Sequence, residues 1–204
     1  MISRPDQRPF RQQDWVAVLP SGKALYRLAE LARIAGHTRS AARRASHRLC
    51  QRGWLASVGR GLYANMLRSE GPPTVEDAAG ILYPPAYISL SSALFAHGVA
   101  DQAPQLLTCV TTNKTKRFST GLGEIHYHQV KEELFFGYAL LRGVPWAHPE
   151  KAALDSIYLE LRAGRQPAVD EWNRDALDPT RLSEWTDLYP ATVLTLVHPL
   201  TART

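Results

Sequence analysis

At 204 residues and 45 % hydrophobic composition, the chain has room for one or two domains with a proper core. No apolar run approaches the roughly 18 residues of a membrane span. The polar stretch 1–13, with Arg4, Arg8 and Arg11, is not a signal-peptide core, so a cytoplasmic location is expected. Cys50 and Cys109 stand alone, which excludes a disulfide framework and a Cys-x-x-Cys metal site; both are expected as buried or partly buried thiols. The net charge of +5 is unevenly spread: residues 1–70 carry 13 Lys and Arg against 4 acids, and residues 71–204 carry 11 against 15. Such asymmetry points to a polyanion bound by one end of the chain.

Residues 1–9, with two prolines, read as a loose arm. Helical spacing of Phe10, Asp14, Trp15 and Val18, stopped by Pro20-Ser21-Gly22, predicts a first helix over 10–19. A second is expected over 23–35, with Leu28, Leu31, Ala32 and Ala35 on one face and Gly36 at its end. A third should start after Thr38 as N-cap and stop at Gly53. On it Ala42, Ala45 and Leu49 form a narrow apolar stripe, opposite Ser40, Arg43, Arg44, His47 and Gln51. Two helices joined by a turn of about three residues containing glycine have helix-turn-helix spacing. Strands over 54–58 and 62–64 flank Gly59-Arg60-Gly61, a hairpin tip with a cation at its centre. The expectation is an N-terminal winged helix-turn-helix domain, 1–70, followed after the breaker 67–73 by a domain over 71–204.

In the second part, Thr74 can cap a helix carrying Val75, Ala78, Ala79 and Leu82 on one face, and Ser89 another that runs to His97. Strands are expected over 106–112, 118–120, 124–130 and 136–141. Pro149 at a first-turn position opens a helix with Ala152, Ala153, Ile157, Tyr158 and Leu161 facing the core. Stretches 180–188 and 191–200 close the chain as helices, the latter equally readable as a strand. The fold class is α+β, with a small sheet and several helices in the second domain.

Chemistry concentrates between residues 31 and 69, where eight arginines (33, 39, 43, 44, 48, 52, 60 and 68) meet no acidic residue. That footprint plus the motif points to double-stranded DNA. Arg43 and Arg44 are best placed for base edges in a major groove. Thr38, Arg39 and Ser40 stand at a helix N-terminus suited to phosphate. Arg48 and Arg52 flank that face as backbone contacts, His47 is a base reader or a solvent-exposed histidine, and Arg60 reaches for the minor groove or a phosphate. Elsewhere, no catalytic constellation, cofactor loop or metal set is read. His126 and His128 share a strand face but lack a third ligand. Glu150, Lys151 and Asp155 are explained by a first-turn acid and an i, i+4 pair, and Ser89 and His97 by a cap and a helix end.

The segments 87–98 (YISLSSALFAHG), 105–112, 121–125 (GLGEI), 134–137 (LFFG) and 149–155 (PEKAALD), in that order and spacing, resemble the AbiEi-type antitoxins of type IV toxin-antitoxin systems, also described as abortive-infection transcriptional regulators. Residues 28–36 and 53–63 resemble that family's N-terminal winged helix, so the likeness covers about 24–165. It implies a non-enzymatic repressor of its own operon whose C-terminal domain antagonises a nucleotidyltransferase-like toxin without a stable direct complex. The residues after Gly164 match nothing in that pattern. The alternative reading is a stand-alone winged-helix regulator whose second domain binds a small molecule or hydrolyses one. Monomer and homodimer on DNA both stay open, paired half-sites being common for such motifs.

Overall fold

The computed structural model describes residues 10–201, so the N-terminal arm expected over 1–9 lies outside the described residues. Two compact units emerge, the first ending at Ala78 and including Thr120–Leu122, the second holding Ala79–Ser119 and Gly123–Thr204. The chain is mixed α and β throughout. No helix among the described residues is long and apolar enough to cross a membrane.

The first unit runs α1 (Gln12–Val18), β1 (Leu25–Arg27), α2 (Leu28–Ile34), α3 (Arg39–Gln51), β2 (Leu55–Gly59) and β3 (Leu62–Asn65). One expectation needs correction. Residues 23–35 are not one helix, because Leu25–Arg27 pairs antiparallel with β3, Leu25 opposite Ala64 and Tyr26 opposite Tyr63. Leu25 and Tyr26 are both buried, and the strand satisfies an edge of β3 that would otherwise lack backbone partners, so tertiary pairing overrides local helix propensity. The sheet order is β1-β3-β2. Its core gathers Trp15, Leu19, Tyr26, Leu31, Ala35, Leu49 and Leu55. The buried Asn65 ties it together: its amide donates to the Leu19 carbonyl at 2.6 Å and the Lys23 carbonyl at 3.1 Å, and its oxygen accepts from the Leu67 N–H at 3.2 Å.

After α4 (Val75–Leu82), the second unit is built on a six-stranded sheet of order β6-β7-β5-β4-β9-β8. Its strands are β4 (Ala86–Ile88), β5 (Leu107–Thr111), β6 (Lys116–Thr120), β7 (Gly123–Gln129), β8 (Tyr138–Leu141) and β9 (Val144–Ala147). Pairs β5–β7 and β4–β9 are parallel, while β4–β5 and β8–β9 are antiparallel. Helices α5 (Leu90–Ala96), α6 (Pro149–Arg162), α7 (Pro179–Thr186) and α8 (Ala191–Thr201) complete it, so the stretch from 191 is a helix. The central strands β4 and β9 have no counterpart in the sequence reading. They are three and four residues long, adjoin Pro84, Pro85 and Gly143, and include Pro145, all residues that read as turn. Pro145 lies within β9, opposite Leu140 in the antiparallel pairing with β8, while β9 meets β4 at the pair Ile88–Trp146.

The core of this unit encloses charge. Glu150, Lys151 and Asp155, which the sequence explained as ordinary helix electrostatics, are 1 %, 0 % and 0 % exposed. Lys151 and Asp155 pair, as the i, i+4 spacing predicts, and the carboxylate also accepts hydroxyls from Tyr87 (3.0 Å), Ser89 (2.8 Å) and Tyr189 (3.0 Å). Ser89 is therefore not a side-chain helix cap as expected; its hydroxyl serves a buried carboxylate that needs every donor it can reach. Burial lowers the Lys151 pKa, against the opposing pull of Asp155, and pushes the Tyr87 and Tyr189 hydroxyls far above the usual phenol range. The Lys151 ammonium also donates to Tyr189 Oη at 2.7 Å and lies 4.9 Å from the Phe136 ring centroid. Gly137, at φ +69°, lets the chain pass so close that a Cβ there would sit 3.0 Å from Lys151 Cδ. Glu150 accepts the Asp178 N–H at 2.8 Å and pairs with Arg181 at 3.4 Å, linking α6 to α7. His97 Nε2 lies 2.8 Å from the Ala147 carbonyl.

Asp155 thus joins β4, α6 and the turn before α8. Lys151→Met would leave that carboxylate buried without its ammonium, and equilibrium urea unfolding should show a loss of about 3–5 kcal/mol. A loss under about 1 kcal/mol would contradict the ion pair's place at the centre of this core.

Candidate nucleic-acid interface

Helix α3 forms where the sequence placed it. Thr38 is the N-cap, its hydroxyl oxygen accepting from the Ala41 N–H at 3.3 Å, and Gly53 follows the last turn at φ +69°. The inward face is small: Ala42, Ala45, Ser46 and Leu49 are buried, and Ser46 returns its hydroxyl to the Ala42 carbonyl at 2.9 Å. Every cation on the helix faces out. Arg39, Arg43, Arg44, His47 and Arg48 are exposed, as is Ser40. Among the described residues none of Arg39, Arg43, Arg44 and Arg48 has an acidic ion-pair partner.

The β2–β3 hairpin turns at Gly59, Arg60 and Gly61 with φ values of +112°, +51° and +71°. Two glycines accept that backbone freely, while Arg60 occupies a left-handed position that a side chain adopts at some cost. The Gly61 carbonyl accepts the Leu28 N–H at 2.8 Å, so the tip is anchored against the start of α2. This anchored turn carries the exposed Arg60.

Geometry sorts the candidate residues into groups. Arg39, Ser40, Arg43 and Arg60 line one concavity of about 850 Å³, and Arg27 and Tyr63 join them there. The sequence reading missed those last two. The sequence pattern puts Arg27 in a helix, whereas the strand Leu25–Arg27 carries it beside the hairpin; its register opposite Leu62 is a long-range fact. Among the described residues no acidic side chain lines the concavity. The nearby acid of α2, Glu30, is engaged: it pairs with Lys23 and accepts the Arg27 N–H at 2.7 Å, and these contacts, Lys23 first, hold its pKa low. Arg44 and His47 face solvent on the turns beyond Ser40 and Arg43. Arg48 sits on the other flank, lining a small recess of about 40 Å³ with Arg11, Trp15 and His37. There His37 Nδ1 is buried without a hydrogen-bond partner among the described residues. Arg52, just past the end of α3, lies over the Trp54 ring, 5.6 Å from its centroid.

In the second unit, the His126 and His128 rings lie 3.9 Å apart, on the shared face that period-2 spacing predicts. Burial lowers both pKa values, that of His128 to about 4 with further help from His126. Both rings are therefore neutral at pH 7. Among the described residues no group of three or more His, Cys, Asp or Glu could hold a metal ion. Cys109 is buried and Cys50 half-buried, as expected of isolated thiols.

No protein-family model matches this chain, and no curated protein matches it in sequence. Among solved structures, it is similar to the RV2827C protein from Mycobacterium tuberculosis, with a TM-score of 0.60 at 16 % identity. That likeness covers 98 % of this chain and 80 % of the other, and it is a likeness of fold.

Thr38→Ala removes the one side-chain cap of the arginine-bearing helix, and thermal or urea unfolding should register a loss of about 1 kcal/mol. An unchanged midpoint would show that the cap does not hold the helix start.

Proposed function

We propose that this protein is a DNA-binding transcriptional repressor whose first unit acts as a winged helix-turn-helix. In this reading α2 and α3 are the helix pair, α3 enters the major groove, and the β2–β3 hairpin is the wing. The observation that carries it is the set of exposed arginines on α3, arranged with Arg60 and Arg27 about one concavity, with no acidic partner for those of α3 and no acid in the lining among the described residues. Guanidinium groups held outward on a helix backed by alanines suit a polyanion, because their desolvation is offset only by phosphate or base acceptors supplied from outside.

Roles follow from position. Arg43 and Arg44 reach base edges, where a bidentate bond to guanine discriminates by about 1–3 kcal/mol. Thr38, Arg39 and Ser40 at the helix start, with Arg60 and Arg27 across the concavity, take phosphates. Arg48 and Arg52 contact the backbone from the flank. The protein acts by binding rather than catalysis. The sequence resemblance to the AbiEi-type antitoxins extends the proposal to autoregulation of its operon and antagonism of a nucleotidyltransferase-like toxin. Coexpression with a nucleotidyltransferase-like gene adjacent to its own tests that extension by rescue of growth.

Fluorescence anisotropy on duplex from the chain's own promoter and on random duplex tests the DNA reading. Arg43→Ala with Arg44→Ala should abolish the preference for promoter, whereas Arg52→Ala should weaken both duplexes alike. Equal effects of the two variants would contradict the assignment of roles. Raising salt from 50 to 200 mM should weaken binding at least about tenfold through counterion release. A flat salt profile would overturn the electrostatic basis of the proposal.

A further inference from the structure

The second unit contains an open cleft of about 680 Å³, within the range of small-molecule sites. Leu90, Leu94 and Leu159 give it an apolar floor, and Trp172, half-buried against the core, adds an indole to the wall. Polar groups line it as well, among them His128 and Gln129 at the end of β7.

Three charged side chains face this space: Glu160, Arg162 and Arg165. Arg165 donates through Nε and Nη2 to both oxygens of Glu160, at 2.5 and 2.9 Å, so those two charges cancel. Arg162 has no acidic ion-pair partner among the described residues; its Nη1 donates to the Gln129 carbonyl at 3.2 Å, which tethers the guanidinium at the cleft. His128, neutral at pH 7, adds hydrogen-bonding capacity without charge. What remains is one net positive charge beside an indole and a leucine floor.

The wall is also held in advance of any ligand. Leu90 keeps a left-handed backbone at φ +58°, a placement that persists in a non-glycine residue only when the surroundings enforce it. The enforcement is visible at Thr108, whose hydroxyl donates to the Ser89 carbonyl at 2.7 Å while its N–H donates to Ser92 Oγ at 2.9 Å. Non-glycine strain of this kind clusters at ligand clamps.

We propose that this cleft binds a small aromatic monoanion, a flat ring bearing one carboxylate or phosphate group, with the anion on Arg162 and the ring between Trp172 and the leucine floor. His128 and Gln129 then meet polar edges of the ring. A free aromatic acid and a cyclic nucleotide share this chemistry. The site is independent of the arginines of α3, so its failure and that of the repressor reading are separable.

Isothermal titration calorimetry of the full chain, without DNA, tests it with hydroxybenzoate and cyclic AMP as the two arms and with inorganic phosphate and neutral adenosine as controls. At least one ring anion should saturate with a Kd below about 1 mM, and both controls should bind at least about tenfold more weakly. Arg162→Ala, a change at an exposed side chain, should weaken the bound anion about tenfold or more. Glu160→Gln, which releases Arg165, should tighten it. The proposal is overturned if neither ring anion gives saturable heat, if phosphate alone binds as well, or if Arg162→Ala binds like the unaltered chain.

Discussion

The arginine-bearing helix can exist only because its inward face asks so little of the core. Ala42, Ala45, Ser46 and Leu49 let α3 approach its neighbours closely, and Ser46 satisfies its own hydroxyl within the helix. Larger inward residues would push the helix away from the small core around Trp15, Leu31 and Leu55. Outward, the same helix carries cations with no acid in the local sequence to neutralise them. Like charges on successive turns repel, and that cost is relieved when an external polyanion takes the place of water and counterions. Packing on one face and unrelieved charge on the other are thus two results of one residue pattern.

The second unit solves the opposite problem. It buries an ammonium and a carboxylate where water cannot reach them, and surrounds the pair with three hydroxyls. Desolvating such a pair is costly, and a well-packed apolar core would often be as stable. Directionality is what the polar arrangement adds: Tyr87 and Ser89 in and beside β4, Lys151 on α6 and Tyr189 before α8 must all converge on one carboxylate. Few alternative packings would satisfy all of them. The short strand β4 is tied to α6 by this convergence as well as by its ladder with β5. Ser89 also places the start of α5, and with it the wall of the cleft beside Thr108.

Much of the first unit is legible in its sequence. Thr38 as cap, the Ala42–Ala45–Leu49 stripe, the glycine stop at 53 and the Gly59-Arg60-Gly61 turn are local features, governed by propensity and by spacing within a few residues, and α1, α3, β2, β3, β5, β7 and α6 follow from such signals. The misreadings share a cause. Leu25–Arg27 is a strand because β3 offers it an edge, and Ala86–Ile88 is a strand because β5 and β9 lie on either side. Neither partner is near in sequence.

The amino-acid order alone determined the lopsided charge, the helix that presents it and the residues that face outward, because periodicity and capping act over one or two turns. Only the tertiary structure decided which arginines meet. It brought Arg27 and Arg60 to Arg39 and Arg43, turned Arg48 to the opposite flank, and converted an unremarkable i, i+4 pair into the buried centre of the second unit. Those outcomes depend on strand register and burial, which are set by contacts between residues tens of positions apart.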